Sequence, residues 1–165
     1  MIQQNSTEFF HHSKISIITI NLNNEVGLRR TIESVVYQKD VSFEYIIIDG
    51  ASTDNSMHIV DEHKDKITCC ISEKDTGIYN AMNKGILKSQ GEYLLFLNSG
   101  DCLINNTVIK KLNETNFQED IVSCSIKISD EKTNSSFVKV PPEKITGNYL
   151  LFDYLPHSST LIKKE

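Results

Sequence analysis

The sequence has no surplus of basic residues, no long apolar run and no signal-peptide pattern. Its 165 residues carry 17 Lys and Arg against 22 Asp and Glu, a formal net charge of -5. This balance argues against a nucleic-acid binder with a broad basic face, because phosphate neutralisation needs clustered cations. No apolar run reaches the roughly 18 to 20 residues of a transmembrane helix, and the N-terminal MIQQNSTEFFHHSK lacks a signal-peptide core. We therefore expect a cytoplasmic protein without a transmembrane segment, and peripheral association with the inner membrane face stays open.

Paired cysteines and the common phosphate loops are also missing. Cys69 and Cys70 are adjacent, Cys102 and Cys124 stand alone, and no CxxC pair occurs, so neither a zinc site nor a disulfide framework is indicated. We expect the thiols to be buried. The absence of GxGxxG and GxxxxGK[ST] excludes a dinucleotide fingerprint and a P-loop. Because the chain has no surplus of basic residues, we expect any phosphate partner to be small and held locally.

Short apolar runs alternate with amphipathic segments over the first hundred residues. The runs typical of buried strands are 15–20, 43–48, 67–71 and 93–97, and the segments with helical periodicity are 25–38, 56–64 and 78–88. In the last helix, Ile78, Ala81, Met82 and Ile86 form a stripe that we assign to the core. This alternation predicts one α/β domain with a mostly parallel central sheet flanked by helices.

The alternation of strand-like and helix-like segments ends after residue 101. Residues 107–112 are consistent with a short helix, and 121–128 and 136–140 with the two strands of a hairpin, while Pro141 and Pro142 break the pattern. We expect a small β-rich extension here. At the other end, residues 1–13 are polar and aperiodic, and we expect a disordered tail.

Polar residues follow every predicted strand of the parallel sheet. The sets are NLNNE after the first strand, DGASTD after the second, SEKDTG after the third and NSGD after the fourth. Ligands of open parallel sheets bind beyond the carboxyl ends of the strands. Each set alone is also consistent with a turn or a helix cap. Helix capping does not, however, account for Asp49, Glu73 and Asp101.

A phosphate ligand at such an acidic edge requires a cation. At about 4 Å and an effective dielectric near 20, one carboxylate repels one phosphate charge by roughly 4 kcal/mol. Oxygen ligands from Asp and Asn, completed by phosphate oxygens, suit Mg²⁺ or Mn²⁺. The sequence therefore favours a divalent metal as cofactor.

Four stretches, SIITINLNN, YIIIDGASTDNS, SEKDTGIYNAMNKGI and GEYLLFLNSGD, occur in an order that resembles the family-2 glycosyltransferases of the GT-A fold. The resemblance is strong from Ser13 to Asp101 and extends weakly to PHSSTLIKK at 156–164. It implies a Rossmann-like fold and inverting transfer of a sugar from a nucleotide diphosphate sugar, with UDP favoured. The implied acceptor is a glycan or a lipid-linked molecule, in cell-surface polysaccharide synthesis.

The resemblance also implies roles for individual residues. Thr19 and Asn21 would border the base, Asp49 would accept a hydrogen bond from the base imide, and Gly50, Ser52 and Asp54 would shape that loop. The residues expected near the ribose and diphosphate are Glu73, Asp75, Gly77, Tyr79, Asn80, Asn83 and Lys84. Asn98 and Asp101 occupy the position of the metal motif D-x-D-D, where two acids are replaced, and His157 would touch the donor phosphate or the metal.

The resemblance divides the chain into a nucleotide-sugar-binding half, 14–101, and the start of an acceptor-side region, 102–165. No acid pattern follows Lys163, so we expect a truncated chain whose general base lies beyond Glu165. One alternative is a nucleotide-sugar-binding module without transferase activity. Another is a hydrolase with Ser52, Asp101 and His157, which the sequence disfavours because Asp54 stands where a nucleophile elbow needs glycine.

Overall fold

The computed structural model describes residues 14–130, 132–146, 149–150 and 153–165; the predicted N-terminal tail lies outside them. The strands are β1 (Ile15–Asn21), β2 (Glu44–Asp49), β3 (Cys69–Ser72), β4 (Tyr93–Phe96), β5 (Ile121–Ser123), β6 (Ile126–Asp130), β7 (Ser135–Lys139) and β8 (Thr160–Lys163). The helices are α1 (Glu25–Val36), α2 (Ser56–Glu62), α3 (Ile78–Lys88) and α4 (Val108–Glu114), with short 3₁₀ turns at Lys64–Lys66 and His157–Ser159.

A six-stranded sheet organises the molecule, in the order β3-β2-β1-β4-β8-β5. The first four strands pair in parallel, with Asn21 opposite Asp49 and Ile18 opposite Phe96. β8 pairs antiparallel with both β4 and β5. The carboxyl ends of the four parallel strands therefore share one edge, as the sequence predicts for an α/β fold.

The central strands are buried on both faces because helices cover each of them. On one face, Ile17 and Ile47 pack with Leu28 of α1, Ile59 of α2 and Ile109 of α4. The other face packs against α3, through Ile18, Ile46, Leu94 and Ala81. Continuous apolar runs such as YIII of β2 suit strands covered on both sides.

Helix α3 packs so closely against the sheet that a side chain at position 85 would clash with it. A Cβ placed on Gly85 of α3 would lie 2.5 Å from Cγ2 of Ile18. Glycine therefore sets the distance between α3 and β1, and α3 in turn carries part of the wall of the site described below.

Three predictions made on the sequence are wrong in detail. Ile78 is not core, because 47% of its surface is exposed at the start of α3. Residues 121–128 do not form one strand of a hairpin: β5 joins the main sheet beside β8, and only β6 pairs with β7. Cys102 is exposed, whereas Cys69, Cys70 and Cys124 are partly buried free thiols.

The segment after residue 101 contributes both a separate hairpin and part of the main sheet. β5 and β8 extend the sheet that the first half builds, so residue 101 does not separate two sheets. Among the residues that the structure describes, no helix is long and apolar enough to span a bilayer.

Candidate functional site

A cleft of about 270 Å³ lies at the shared carboxyl edge of the parallel strands. We call it the edge cleft. Its walls come from the ends of β1, β2 and β4, from the loop after β3 and from the first turn of α3: Ile20, Asn21, Leu22, Gly50, Asp75, Gly77, Ile78, Ala81, Asn98 and Ser99. Four loops that are far apart in sequence therefore meet in one cavity.

Asp49, the last residue of β2, is completely buried beside this cleft. Its Oδ1 accepts hydrogen bonds from Asn21 Nδ2 at 2.9 Å and Ser52 Oγ at 2.5 Å. Its Oδ2 accepts from the Ser52 amide at 2.9 Å and from Ser72 Oγ at 2.7 Å. Burial by itself would raise the pKa of Asp49, but the hydrogen bonds from Ser52, Ser72 and Asn21 outweigh it and hold the pKa below its ordinary value.

Ser52 connects the loop after β2 with the loop after β1. Besides donating to Asp49, its Oγ accepts from the Asn23 amide at 2.8 Å and from Asn21 Nδ2 at 3.2 Å. The next residue, Thr53, donates its amide to Asn23 Oδ1 at 2.8 Å. These bonds fix the two loops to each other at the edge of the sheet.

Asp54 caps two helices. Its Oδ1 accepts from the amide of Ser56 at the start of α2, and its Oδ2 accepts from the amide of Glu25 at the start of α1, both at 3.0 Å. Glu25 returns a bond, because its Oε2 accepts from the Asn55 amide at 2.9 Å. The carboxylate of Asp54 therefore stabilises the starts of both helices from the loop after β2.

Lys84 of α3 holds the loop after β3. Its Nζ lies 2.8 Å from Glu73 Oε1 and 2.5 Å from Asp75 Oδ1. The hydrogen bonds to Asp75 and Glu73 raise the pKa of Lys84. Lys84 thus balances only one of these two carboxylates, and the second cation of the loop, Lys74, is exposed.

Gly77 directly precedes α3, and its φ of 132° is a backbone conformation that residues with a side chain rarely adopt. No side chain caps this helix end, so its first amides have no side-chain acceptor. Tyr79 and Asn83 are exposed, and Asn80 Oδ1 accepts from the Thr76 amide at 3.4 Å. Of this stretch, Asp75, Gly77 and Ile78 line the edge cleft.

The turn Asn98–Asp101 is hydrogen-bonded to α1. The Gly100 amide donates to Thr31 Oγ1 at 2.9 Å, and the Asp101 amide closes the turn onto Asn98 O at 2.9 Å. Asn98 Nδ2 lies 2.9 Å from His157 Nε2, which brings the predicted histidine to the site. Burial raises the pKa of Asp101, and the charge of nearby His157 opposes that shift.

The oxygen ligands for a divalent cation are few. Within the described ranges, no group of three or more His, Cys, Asp or Glu side chains is placed to hold a metal ion. Asn98 Oδ1 is buried and has no hydrogen-bond partner, and Asp101 is three residues away. An amide oxygen without a partner and a nearby carboxylate fit a hard cation that draws its remaining ligands from a diphosphate.

Of the sixteen predicted site residues, five form part of the cleft wall and eleven do not. Asn21, Gly50, Asp75, Gly77 and Asn98 line the edge cleft. Thr19 does not reach the edge: it is fully buried, and its Oγ1 lies 3.1 Å from Tyr45 Oη. Asp49 and Ser52 lie behind the cleft.

Sequence reasoning missed several apolar members of the cleft wall. They are Ile20, Leu22, Ile78 and Ala81, together with the polar Ser99. Leu22 is 61% exposed although it follows a buried strand directly. An apolar residue within an otherwise polar loop is the signal that points to such a wall.

The hydrolase alternative finds no support in the geometry. Ser52 Oγ is bonded to Asp49, whereas His157 contacts Asn98 on the other side of the cleft. The Ser, Asp and His of that interpretation therefore do not form a relay.

Fold and cleft together define a GT-A domain: a mostly parallel sheet between helices, with a ligand cavity at its carboxyl edge. The chain belongs to Glycosyl transferase family 2, whose family model matches residues 16–159.

Known proteins are similar to this chain in sequence or in fold. An uncharacterized glycosyltransferase of Mycobacterium tuberculosis is 40% identical over 88 residues, which cover 53% of this chain and 34% of the relative. The chain thus spans about a third of that relative's length. S. aureus TarS in complex with UDP-GlcNAc is 26% identical, with a TM-score of 0.55 over 61% of this chain and 30% of that chain. The mannosyltransferase PcManGT of Pyrobaculum calidifontis, in complex with GDP-Man and Mn²⁺, shares the fold at 16% identity and a TM-score of 0.59, over 74% and 37% of the two chains.

Proposed function

We propose that this chain binds a nucleotide diphosphate sugar, with UDP as the favoured nucleotide, for inverting sugar transfer to a glycan or lipid-linked acceptor. The observation that carries the proposal is the edge cleft, where the loops after all four parallel strands meet. TarS, which shares 26% of its aligned residues with this chain, is known in complex with UDP-GlcNAc, and this supports a UDP-sugar as donor.

The shape and chemistry of the edge cleft suit a nucleoside. Ile20, Leu22, Ile78 and Ala81 supply apolar surface for the faces of a base, and Asn21 and Asn98 supply amide groups at its rim. A mostly apolar cavity with a few placed polar groups is the usual form of a small-molecule site. The glycine at position 50 keeps the wall open, because a Cβ there would lie 3.2 Å from Leu22 Cδ1.

The diphosphate would lie beside the first turn of α3 and the turn after β4. The amides at the start of α3 have no side-chain cap and favour an anion, whereas Asp75 and Glu73 oppose one. Lys84 offsets part of their charge. The remaining repulsion is the reason to propose a divalent cation here.

Asp101 would hold this cation, Mg²⁺ or Mn²⁺, with Asn98 Oδ1 as a second ligand. When bound, the metal neutralises the charge of the leaving diphosphate. His157 orients Asn98 through the 2.9 Å contact between Nε2 and Nδ2. Because the protein supplies only these two ligands, we expect the metal to bind well only together with the nucleotide.

Inverting transfer needs a base that removes the proton of the acceptor hydroxyl on the face opposite the diphosphate. We assign no residue to that role. The acceptor class, the part in cell-surface polysaccharide synthesis, the cytoplasmic location and the division of the chain at residue 101 remain predictions.

Calorimetric titration with UDP, with and without Mn²⁺, tests the proposal. We expect Mn²⁺ to tighten UDP binding by about tenfold or more, as for a charge-assisted contact, and we expect Asp101→Asn to abolish that gain. Asp61→Asn, an exposed carboxylate on α2, is the matched control and should retain it. Failure to bind UDP, GDP and dTDP under either condition would contradict the proposal.

Sugar transfer is then followed as release of UDP from UDP-sugars in the presence of glycan or lipid-linked acceptors. Release that depends on acceptor supports the transferase. Tight binding without any release would favour the alternative, a nucleotide-sugar-binding module.

A further inference from the structure

Two exposed aromatic side chains lie at the β6–β7 hairpin, on the side that carries Lys139. Phe137 and Lys139 are two residues apart on β7 and project from the same face of the hairpin, because side chains alternate along a strand. Phe137 is largely exposed. Tyr154, from the segment that follows the hairpin, is 64% exposed, and Lys139 Nζ lies 4.1 Å from the centre of its ring. We call Phe137, Lys139 and Tyr154 the aromatic face.

Tyr154 is held in place although it is exposed. Lys139 Nζ lies 2.5 Å from Asp153 Oδ1 and donates to the carbonyl oxygen of Tyr154 at 3.3 Å. Asp153 Oδ1 also accepts from the Tyr154 amide at 2.8 Å. The hydrogen bond between Lys139 and Asp153 raises the pKa of the lysine and lowers the pKa of the aspartate, so both remain charged at neutral pH.

The position of the Tyr154 ring is therefore fixed before any ligand arrives. The ammonium group of Lys139 attracts the face of the ring, while the bonds of Asp153 fix the backbone that carries it. An exposed ring that is already ordered loses little conformational entropy when it binds a ligand. Rigid, exposed aromatic side chains of this kind are common contacts at binding surfaces.

The aromatic face lies close to the candidate metal site. Tyr154 precedes His157 by three residues, which span at most about 11 Å of extended chain. His157 Nε2 in turn lies 2.9 Å from Asn98 Nδ2. The turn between them is fixed, because the Ser159 amide donates to Pro156 O at 3.1 Å. A molecule that rests on Tyr154 is therefore within reach of the place where the proposed transfer occurs.

The chemistry of the aromatic face suits a neutral sugar ring. One face of a pyranose presents C–H groups, and the negative face of an aromatic ring attracts such weakly positive hydrogens. The hydroxyl groups of the sugar need polar partners at the edge of the ring. The carboxylate of Asp153, which is partly exposed beside Tyr154, is an acceptor for them. Apolar surface with a few placed polar groups is usual for small-molecule sites.

A lipid surface fits the aromatic face less well. Anionic head groups attract clusters of unpaired Lys and Arg side chains. Lys139, however, is paired with Asp153, and the chain carries a formal net charge of -5. Electrostatics therefore favour a neutral ligand over an anionic bilayer.

We propose that the aromatic face binds the acceptor as an oligosaccharide of pyranose sugars, with Tyr154 stacking on a sugar ring and Lys139 acting as the positioning residue that holds Tyr154. The inference rests on the proposed function and narrows it, because it makes the glycan part of the acceptor the recognised part. Phe137, on the same face of the hairpin, offers a second aromatic surface to the chain of sugars.

The test measures binding of cellotriose, chitotriose and mannotriose to the full chain by saturation-transfer NMR, with UDP binding followed by calorimetry. Tyr37→Ala is the matched control, because Tyr37 is 63% exposed but lies at the end of α1. We expect wild type, Tyr154→Phe and Tyr37→Ala to bind at least one trisaccharide. Tyr154→Ala should bind it about fivefold or more weakly, as expected for the loss of one aromatic contact.

The positioning role of Lys139 is tested by two further variants. Lys139→Met should weaken trisaccharide binding about twofold or more, because the Tyr154 ring is then no longer held. Lys139→Arg should restore it, since a guanidinium also pairs with a carboxylate and stacks on an aromatic ring. Equal binding by Lys139→Met and wild type would overturn this role.

UDP binding should be the same in wild type, Tyr154→Ala and Tyr37→Ala, which would show that the fold and the edge cleft are intact. If UDP binds but no trisaccharide does, or if Tyr154→Ala binds the trisaccharides as wild type does, the inference is overturned and the proposed function stands. Co-sedimentation with phosphatidylglycerol vesicles that is lost in Tyr154→Ala, without trisaccharide binding, would overturn it in favour of a lipid surface. If no nucleotide binds the wild type, the proposed function fails, together with the inference that rests on it.

Discussion

Asn98 and His157, 59 residues apart in the sequence, place Nδ2 and Nε2 within 2.9 Å of each other. Asn98 lies two residues after the end of β4, and His157 begins the 3₁₀ turn that leads into β8. Because β8 pairs antiparallel with β4, the start of one strand lies beside the end of the other. The segment 156–164, whose resemblance to the family is weak, thereby reaches the candidate metal site.

We predict that His157→Ala weakens binding of UDP in the presence of Mn²⁺ by roughly two- to tenfold, the range of one net hydrogen bond. Without His157, the Asn98 amide loses the partner that orients it toward the cation. Calorimetry measures the change, and His58→Ala, an exposed histidine of α2, should leave binding unchanged. An equal loss in both variants would contradict a role for the contact.

Asp49→Asn should lower the free energy of unfolding at pH 7 by about 2 to 3 kcal/mol, because its amide group cannot accept from all the donors around it. The lowered pKa of Asp49 means that its contribution is present above the unfolded value and is lost as pH falls through the folded pKa. The gap between wild type and variant should therefore narrow below about pH 4.

Urea unfolding at several pH values measures this gap, with the exposed Asp61→Asn as control. The control should stay within about 0.5 kcal/mol of wild type. A gap that widens in acid would show that the sign of the linkage is reversed.

Lys84→Met should weaken UDP binding by roughly two- to fivefold, as expected for a partly exposed ionic contact. The change leaves Glu73 and Asp75 without their shared cation, so the anionic diphosphate meets more repulsion. Titration at 0.05 and 0.5 M NaCl checks the cause, because salt screens this repulsion and should shrink the loss. Lys88→Met, on the exposed last turn of α3, is the control; a loss that does not change with salt would point to packing instead.

Gly85→Ala should destabilise the fold by about 1 to 3 kcal/mol. Helix propensity alone predicts a gain of about 1 kcal/mol, but the new Cβ would meet Ile18 Cγ2 at 2.5 Å. Thermal unfolding shows which of the two effects is larger. In the control Leu87→Ala, on the exposed face of α3, the stability should change little. A stabilised Gly85→Ala would mean that α3 moves away from β1 without cost.

Much of the α/β half could be predicted because its signals are local. Continuous apolar runs mark β1, β2 and β4, and the predicted bounds of α3 coincide with those observed. The sequence predicts a strand over 121–128 but not the place of β5 in the main sheet, because β5 gains that place only by pairing with β8, some forty residues later in the chain. The exposure of Ile78 likewise depends on what the helix start faces, which periodicity does not report.

The sequence by itself determined the order of strands and helices, the polar loops after each strand and the family motifs, because each depends on neighbouring residues. Only the tertiary structure decided which atoms of those loops have hydrogen-bond partners. Asp49 is conspicuous in the sequence, yet packing surrounds its carboxylate with donors, whereas Asn21 keeps an oxygen without a partner. Hydrogen-bond saturation is a property of groups that folding brings together from distant positions, and no local pattern contains it.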